Sequence, residues 1–160
     1  MSTEANVSLR EAMLEDVPFL VSAHMAVNAE KFEGKDSEAK QFESNVTKWA
    51  KQEVTGEVKH SITYLIEVDG VSAGRFRLVR RDYELMVAGI QMLPAYQNRG
   101  IGSGLIKSAI LEAGERKVPC RLVVGKENPN AKRLYSRLGF KVIKDMDDDE
   151  MMEIPVEDGS

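Results

Sequence analysis

Cysteine is nearly absent from this 160-residue sequence, in which Cys120 stands alone. A lone thiol has no partner within the chain, so the fold does not draw on an internal disulfide or on an oxidising compartment. An excess of positive charge is missing too. Lys and Arg number 22 against 26 Asp and Glu, a net charge of -4. No global basic field recruits nucleic acid or anionic lipid, so neither is expected as a partner. No run approaches the ~20 apolar residues that a membrane-spanning helix needs. The opening Met-Ser-Thr-Glu-Ala-Asn has no basic stretch and no apolar core of the secretory kind, which makes the cytoplasm the expected location. Histidine is scarce, and His24 and His60 have no partner at metal-ligand spacing, so no metal is expected. Internal repeats, low-complexity tracts and long linkers are lacking.

What is present is an ordinary globular balance, 42% hydrophobic and 30% charged. The length suits a single domain over residues 1–160. Val7 to Ala12 alternates weakly, as a first strand does. Asp16-Val17-Pro18 opens a helix with Phe19, Leu20, Ala23 and Val27 on one face and an end near Gly34. Asp36 or Ser37 caps a second helix, with Phe42, Val46 and Trp49 at helical spacing, until Gly56 breaks it. Ser61–Val68 and Val71–Val79 are strand-like runs joined by Asp69-Gly70, a strong hairpin signal. Tyr83–Met92 extends this into an antiparallel meander. Ile101, Leu105, Ile106, Ala109, Ile110 and Ala113 mark a third helix, whose end is bracketed by Gly114 and Pro119. Arg121–Val124 is a short strand. A fourth helix begins near Pro129 and stops at Gly139. Phe140–Ile143 and Met151–Val156 are the last strands, before a few frayed residues. The fold class is mixed α/β.

The chemistry concentrates between strand and third helix, in Gln97-Asn98-Arg99-Gly100-Ile101-Gly102-Ser103-Gly104. The first N–H groups of a helix have no internal partner, and the helix dipole adds partial positive charge there. Gly100, Gly102 and Gly104 lack Cβ atoms, so a pyrophosphate can approach the amides, and Arg99 can add charge-assisted bonds. A dinucleotide fingerprint wants a further glycine where Leu105 stands. A Walker A loop wants Lys-Ser or Lys-Thr where Leu105-Ile106 stands. Taken alone, the loop also fits a tight turn of small residues packing under a strand.

Pro94 to Gly102 resembles the acetyl-CoA signature (Gln/Arg-x-x-Gly-x-Gly/Ala) of the GCN5-related N-acetyltransferases, the GNAT family. Asn128-Pro129-Asn130-Ala131-Lys132-Arg133-Leu134-Tyr135-Ser136-Arg137-Leu138-Gly139-Phe140 resembles that family's asparagine, tyrosine and Leu-Gly-Phe segment, at a fitting distance. The resemblance is strong over Tyr83–Lys144. It implies a central, mostly antiparallel mixed sheet, splayed at the cofactor site and flanked by helices. It implies acetyl-CoA as cosubstrate. The backbone of Ile90, Gln91 and Met92 would pair with the pantetheine arm like an added strand. Amides of Asn98, Arg99, Gly100, Ile101, Gly102 and Ser103 would meet the pyrophosphate, with Gln97 and Gly104 flanking. Asn128 would hydrogen-bond the pantetheine, and Tyr135 would protonate the leaving thiolate as a general acid. Read without the resemblance, Tyr135 is a core-facing aromatic beside Leu134 and Leu138, and Asn128 is a helix cap.

The pattern departs where a base is wanted. Met86 and Val123 occupy the places where family members carry a glutamate. Glu84 shares a strand face with Met86 and is one substitute acting through water; Glu67 and His24 are weaker ones. A base-free route is open as well, since proximity supplies much of the rate. The acceptor is a small-molecule or protein amine that the sequence does not name. Asp147-Asp148-Asp149-Glu150 reads as a solvated hairpin turn or as an acidic rim for a cationic acceptor. Homodimers are common in the family, and the sequence is silent on assembly. Two other classes compete with an acetyltransferase: a non-catalytic acyl-CoA-binding regulatory module and a dinucleotide-binding module.

Overall fold

A computed structural model describes residues 6–157. The readings of the extreme N-terminus as leader-free and of the last residues as frayed fall outside that range. The strands and helices follow the predicted order: β1 (Val7–Glu11), α1 (Val17–Val27), α2 (Asp36–Val54), β2 (Ser61–Val68), β3 (Val71–Arg81), β4 (Glu84–Met92), α3 (Ile101–Arg116), β5 (Cys120–Gly125), α4 (Pro129–Leu138), β6 (Lys141–Met146) and β7 (Asp149–Ile154). The strand order is β1-β2-β3-β4-β5-β7-β6. β1/β2, β5/β7 and β6/β7 pair antiparallel, and β4/β5 is a parallel step. Two residues link β2 to β3 and two link β3 to β4. So short a connection allows only an antiparallel hairpin. The class is therefore mixed α/β with a mostly antiparallel sheet. The chain forms two compact units, Met1–Arg77 with Gly89–Ile101 and Leu78–Ala88 with Gly102–Ser160.

In the first unit the β2–β3 turn shows why Asp-Gly was diagnostic. Asp69 and Gly70 have φ of 52° and 82°, and a type I′ hairpin turn needs two successive left-handed residues. Asp69 also accepts the Asn6 amide at 3.0 Å. The core around α1 consists of Ala12, Val17, Leu20, Ala50 and Leu65. Asp16 precedes α1 as expected, but its carboxylate turns back. It accepts the Met13 amide at 2.7 Å and both arms of the Arg10 guanidinium at 3.0 Å.

Two helix details differ from expectation. α1 stops at Val27, well short of Gly34. Asn28 Nδ2 donates to the His24 carbonyl at 2.8 Å, and a 3₁₀ turn over Ala29–Phe32 takes over, leaving Val27 exposed. In α2, Asp36 and Ser37 sit inside the first turn, after Lys35 as the cap. Its buried stripe runs Val46–Ala50, while Trp49 is exposed and Phe42 packs on Phe32 at 5.0 Å.

In the second unit α3 buries Leu105, Ile106, Ala109 and Ala113. The helix ends at Arg116, between Gly114 and Pro119 as expected, and yields to a left-handed Lys117. Glu112 holds the Arg80 guanidinium at 2.7 and 3.0 Å, and this pairing is the main reason its carboxyl lies below the ordinary range. Gly139 ends α4 at φ 109°, the left-handed C-cap that glycine alone adopts cheaply. Buried Phe140 follows and leads into β6.

Candidate active site

Of the predicted cofactor residues, Ile90, Gln91, Met92 and Gln97–Ile101 lie in the first unit, and Gly102, Ser103, Gly104, Asn128 and Tyr135 in the second. The β4/β5 ladder comprises Leu85↔Cys120, Met86↔Arg121 and Val87↔Leu122 and does not include Ile90, Gln91 or Met92. A Pro94–Tyr96 turn joins the tail of β4 to the loop. Gln97 ties the two together, with Nε2 donating to the Met92 carbonyl at 3.0 Å.

The loop curls through two left-handed residues, Asn98 at φ 62° and Gly100 at φ 78°. Asn98, Arg99, Gly100 and Gly104 are exposed, whereas Ile101 is buried and pins the start of α3. A Cβ placed on Gly100 or Gly104 would meet no heavy atom within 4 Å. The backbone there faces open space, next to helix amides that have no intrahelical acceptor. The Arg99 guanidinium carbon lies 5.2 Å from the Tyr96 ring centroid, which props this side chain by a cation–π contact.

Asn128 and Tyr135 are carried by α4. Asn128 caps the helix, its Oδ1 accepting the Ala131 amide at 3.2 Å. The cap leaves its side-chain NH₂ uncommitted to that bond. Tyr135 is half-buried and meets Phe140 edge-on at 6.1 Å. Burial pushes its phenol above the usual value, so it holds its proton at neutral pH. Leu134 and Leu138 are half-buried beside it, and α4 has no fully buried residue.

The fold immobilises Glu84 as a carboxylate. It is buried, Arg81 donates to one oxygen at 2.6 Å and Arg121 to the other at 3.1 Å. Arg121 in turn reaches Glu153 at 2.8 Å. Glu67 lies 3.8 Å from Arg10. His24 is pushed down to about 4, first by burial and then by the charge of Arg75, with Glu53 opposing. Cys120 is buried and pushed up to about 12, mainly by burial, so it stays a thiol and is no nucleophile. Asp147 and Asp148 form the β6–β7 turn, with Asp147 left-handed at φ 67°, and Asp149 and Glu150 open β7. Lys132 pairs with Glu150, and Lys126 with Asp145 in β6 just before the run, each at 2.7 Å.

A sequence profile described as the acetyltransferase (GNAT) domain matches residues 59–142. The chain belongs to the GNAT family. Membership makes it an acetyltransferase that draws on acetyl-CoA. No curated protein sequence is significantly similar to it. Solved structures share the fold. The PaiA N-acetyltransferase of Thermoplasma acidophilum, solved with coenzyme A, superposes with a TM-score of 0.76 at 18% identity, covering 95% of this chain and 99% of that one. An acetyltransferase of Salmonella typhimurium, described as modifying the N-terminal serine of ribosomal protein L7/L12, gives 0.71 at 15% identity, covering 98% and 97%. The N-acetyltransferase PseH of Campylobacter jejuni, with acetyl coenzyme A, gives 0.61 at 17% identity, covering 94% and 99%.

One part of this GNAT domain was not read from the sequence. A buried polar cluster lies behind the tail of β4, built from Glu53 of α2, Arg75 of β3 and Gln91 of β4. A signal was available: Arg75 falls on the strand parity of Ala73 and Val79, which are buried. A charge at such a position needs a partner, and nothing local in sequence supplies one. Separately, a crevice of about 810 Å³ between α1 and α2, lined by Leu14, Val17, Val21, Met25 and Lys51 among others, contains none of the predicted site residues.

Proposed function

We propose that this GNAT domain transfers the acetyl group of acetyl-CoA to a primary amine of a small molecule or protein by direct attack within a ternary complex. The observation that carries the reading is the start of α3. Left-handed Asn98 and Gly100 curl the chain, and the backbone at Gly100 and Gly104 opens onto free space where helix amides are unsatisfied. Amides of Asn98, Arg99, Gly100, Ile101, Gly102 and Ser103 take the pyrophosphate, with Gln97 and Gly104 flanking. Ile90, Gln91 and Met92 offer the strand backbone to the pantetheine, and the side-chain NH₂ of Asn128 adds a bond to it.

The neutral amine nitrogen attacks the thioester carbonyl, the C–N bond forms and the C–S bond breaks. Tyr135 gives its proton to the departing sulfur and regains one from the amine through solvent. A raised phenol pKa suits this step, because a thiolate expelled into a water-poor site is itself a strong base; burial, with the charge of Glu112 adding to it, takes the Cys120 thiol to about 12. Protein and small-molecule acceptors both suit the reading; the Salmonella relative acts on a protein N-terminus.

The arginine grip on Glu84, together with Met86 and Val123 at the glutamate positions, favours a second reading, an acyl-CoA-binding module without turnover. One assay separates the two. Acetyl-CoA is mixed with a broad panel of amines, and free CoA thiol and melting temperature are followed. Turnover with any amine supports the enzyme. A raised melting temperature without thiol release supports the module. Neither response at saturating acetyl-CoA defeats both.

A further inference from the structure

We propose that Arg75 is a positioning residue for acetyl-CoA: through the side chain of Gln91 it fixes the last residues of β4, the strand segment assigned to the pantetheine. The inference rests on the cofactor assignment above and adds residues that the family motifs do not include.

Arg75 is a buried cation whose bonds are all directed. Its Nη2 donates to Glu53 Oε1 at 2.5 Å and its Nε to Glu53 Oε2 at 3.3 Å, a forked pairing. Its Nη1 donates to Gln91 Oε1 at 2.7 Å. Glu53 is fixed in turn by the Thr63 hydroxyl at 2.9 Å and by Arg77 at 3.8 Å. Both side chains of the main pair are almost wholly covered. A buried ion pair is a poor source of stability, because apolar residues of similar volume often do as well. What it provides is geometry, since each member has one arrangement that satisfies it.

Two glycines locate that geometry at the cofactor strand. A Cβ on Gly89 would stand under 3.0 Å from Arg75 Nη1, and a Cβ on Gly74 under 3.0 Å from the Gln91 carbonyl oxygen. Gly74 must be glycine for β3 and β4 to approach there, because the atoms a Cβ would strike are β4 backbone, whereas a Cβ at Gly89 would displace the Arg75 guanidinium from its present place. A pair that merely fastened α2 to the sheet would not need the third bond, to Gln91. With Oε1 of Gln91 turned to Arg75, its Nε2 is directed away from the cation, so both the rotamer and the amide orientation are set. The next residue, Met92, is clamped from the other side, its carbonyl accepting from Gln97. The line Glu53–Arg75–Gln91 and the bond Gln97–Met92 thus hold two consecutive residues of the segment.

The test is a double-mutant cycle read by calorimetric acetyl-CoA binding and by steady-state kinetics. Glu53→Leu/Arg75→Met replaces the ion pair by apolar groups of similar size. The expected result is a folded protein whose Kd and KM for acetyl-CoA rise about tenfold, while KM for the amine stays within about twofold. Gln91→Leu in the native background weakens acetyl-CoA to a similar extent, and adding it to the double variant costs little more, because both act on one contact. Should Glu53→Leu/Arg75→Met fail to fold, Arg75→Lys replaces it in the cycle, since lysine keeps the charge but cannot fork. Unchanged acetyl-CoA affinity in the folded variants, or losses that simply add, overturns the inference while native binding upholds the cofactor assignment. Absence of acetyl-CoA binding by the native protein overturns both.

Discussion

Arg121 donates to Glu84 at 3.1 Å from the strand next door, and Arg81 closes on the other oxygen at 2.6 Å. A carboxylate held on both oxygens by arginines is fixed in place, and a base that must turn toward a substrate ammonium would first have to break these pairings. Glu84→Gln is therefore expected to cost stability, about 1–2 kcal/mol in denaturant unfolding, as two partly exposed arginines lose their shared partner. Turnover at saturating substrates should stay within about twofold with the same pH profile. Loss of the acidic limb of kcat in this variant would make Glu84 the base after all.

Gly104 offers a case in which stability and affinity separate. It lies in the first turn of α3, and a methyl group there has room. Gly104→Ala should raise stability by about 0.5–1 kcal/mol through helix propensity and reduced unfolded-state freedom. The same methyl would stand over the backbone assigned to the pyrophosphate, so KM for acetyl-CoA should rise about tenfold. A higher melting temperature with unchanged KM would place the phosphates elsewhere.

Tyr135→Phe keeps the edge-on packing against Phe140 and removes the proton. Folding should change by less than about 1 kcal/mol. Turnover should fall about 10²-fold or more, the scale of general acid catalysis, with KM for acetyl-CoA little altered. Because the phenol is raised above its ordinary value, native activity should hold through neutral pH and decline only in the strongly alkaline range. Undiminished kcat in the phenylalanine variant would remove Tyr135 from the chemistry.

His24 gives the fold a sensitivity to acid. Its folded-state pKa is about 4, against 6.5 for an unperturbed imidazole, so between those values the unfolded chain binds the extra proton. Stability from this group is complete above about pH 6.5, falls as pH drops toward 4, and levels off below. Allowing for solvent screening of a half-exposed side chain, the loss is about 1–2 kcal/mol. His24→Asn should flatten the melting temperature against pH across this window. An identical slope in both proteins would mean that other groups cause it.

Local features were readable from the sequence because they depend on local constraints. The Asp69-Gly70 turn demands left-handed residues, Gly139 stops α4 for the same reason, and the α3 loop carries its glycines in a row. The end of α1 was misplaced because Asn28 closes the helix with a side-chain bond, while Gly34 marks a later turn. Helical spacing grouped Trp49 with Val46, yet tertiary packing buried Val46 and Ala50 and left Trp49 exposed. Strand parity could have flagged Arg75, but its partners were out of reach, because they stand 22 and 16 residues away and meet it only once the fold brings them together. Glu84 was correctly placed near Met86 in sequence, but its arginines, one of them 37 residues distant, decide what it can do.

The last strands also bear on the edge that the sheet presents. β6 is the terminal strand of the sheet, and all six of its residues are exposed, Val142, Ile143 and Met146 included. Its register against β7 slips between Val142 and Lys144, so Ile143 is an unmatched extra residue. A straight edge of this composition would template a further strand and grow into a fibre. The bulge bends the row of free amides and carbonyls out of line, and Lys141 and Lys144 put charge along it. One surplus isoleucine thus breaks the regular repeat that a further strand would have to match along this edge.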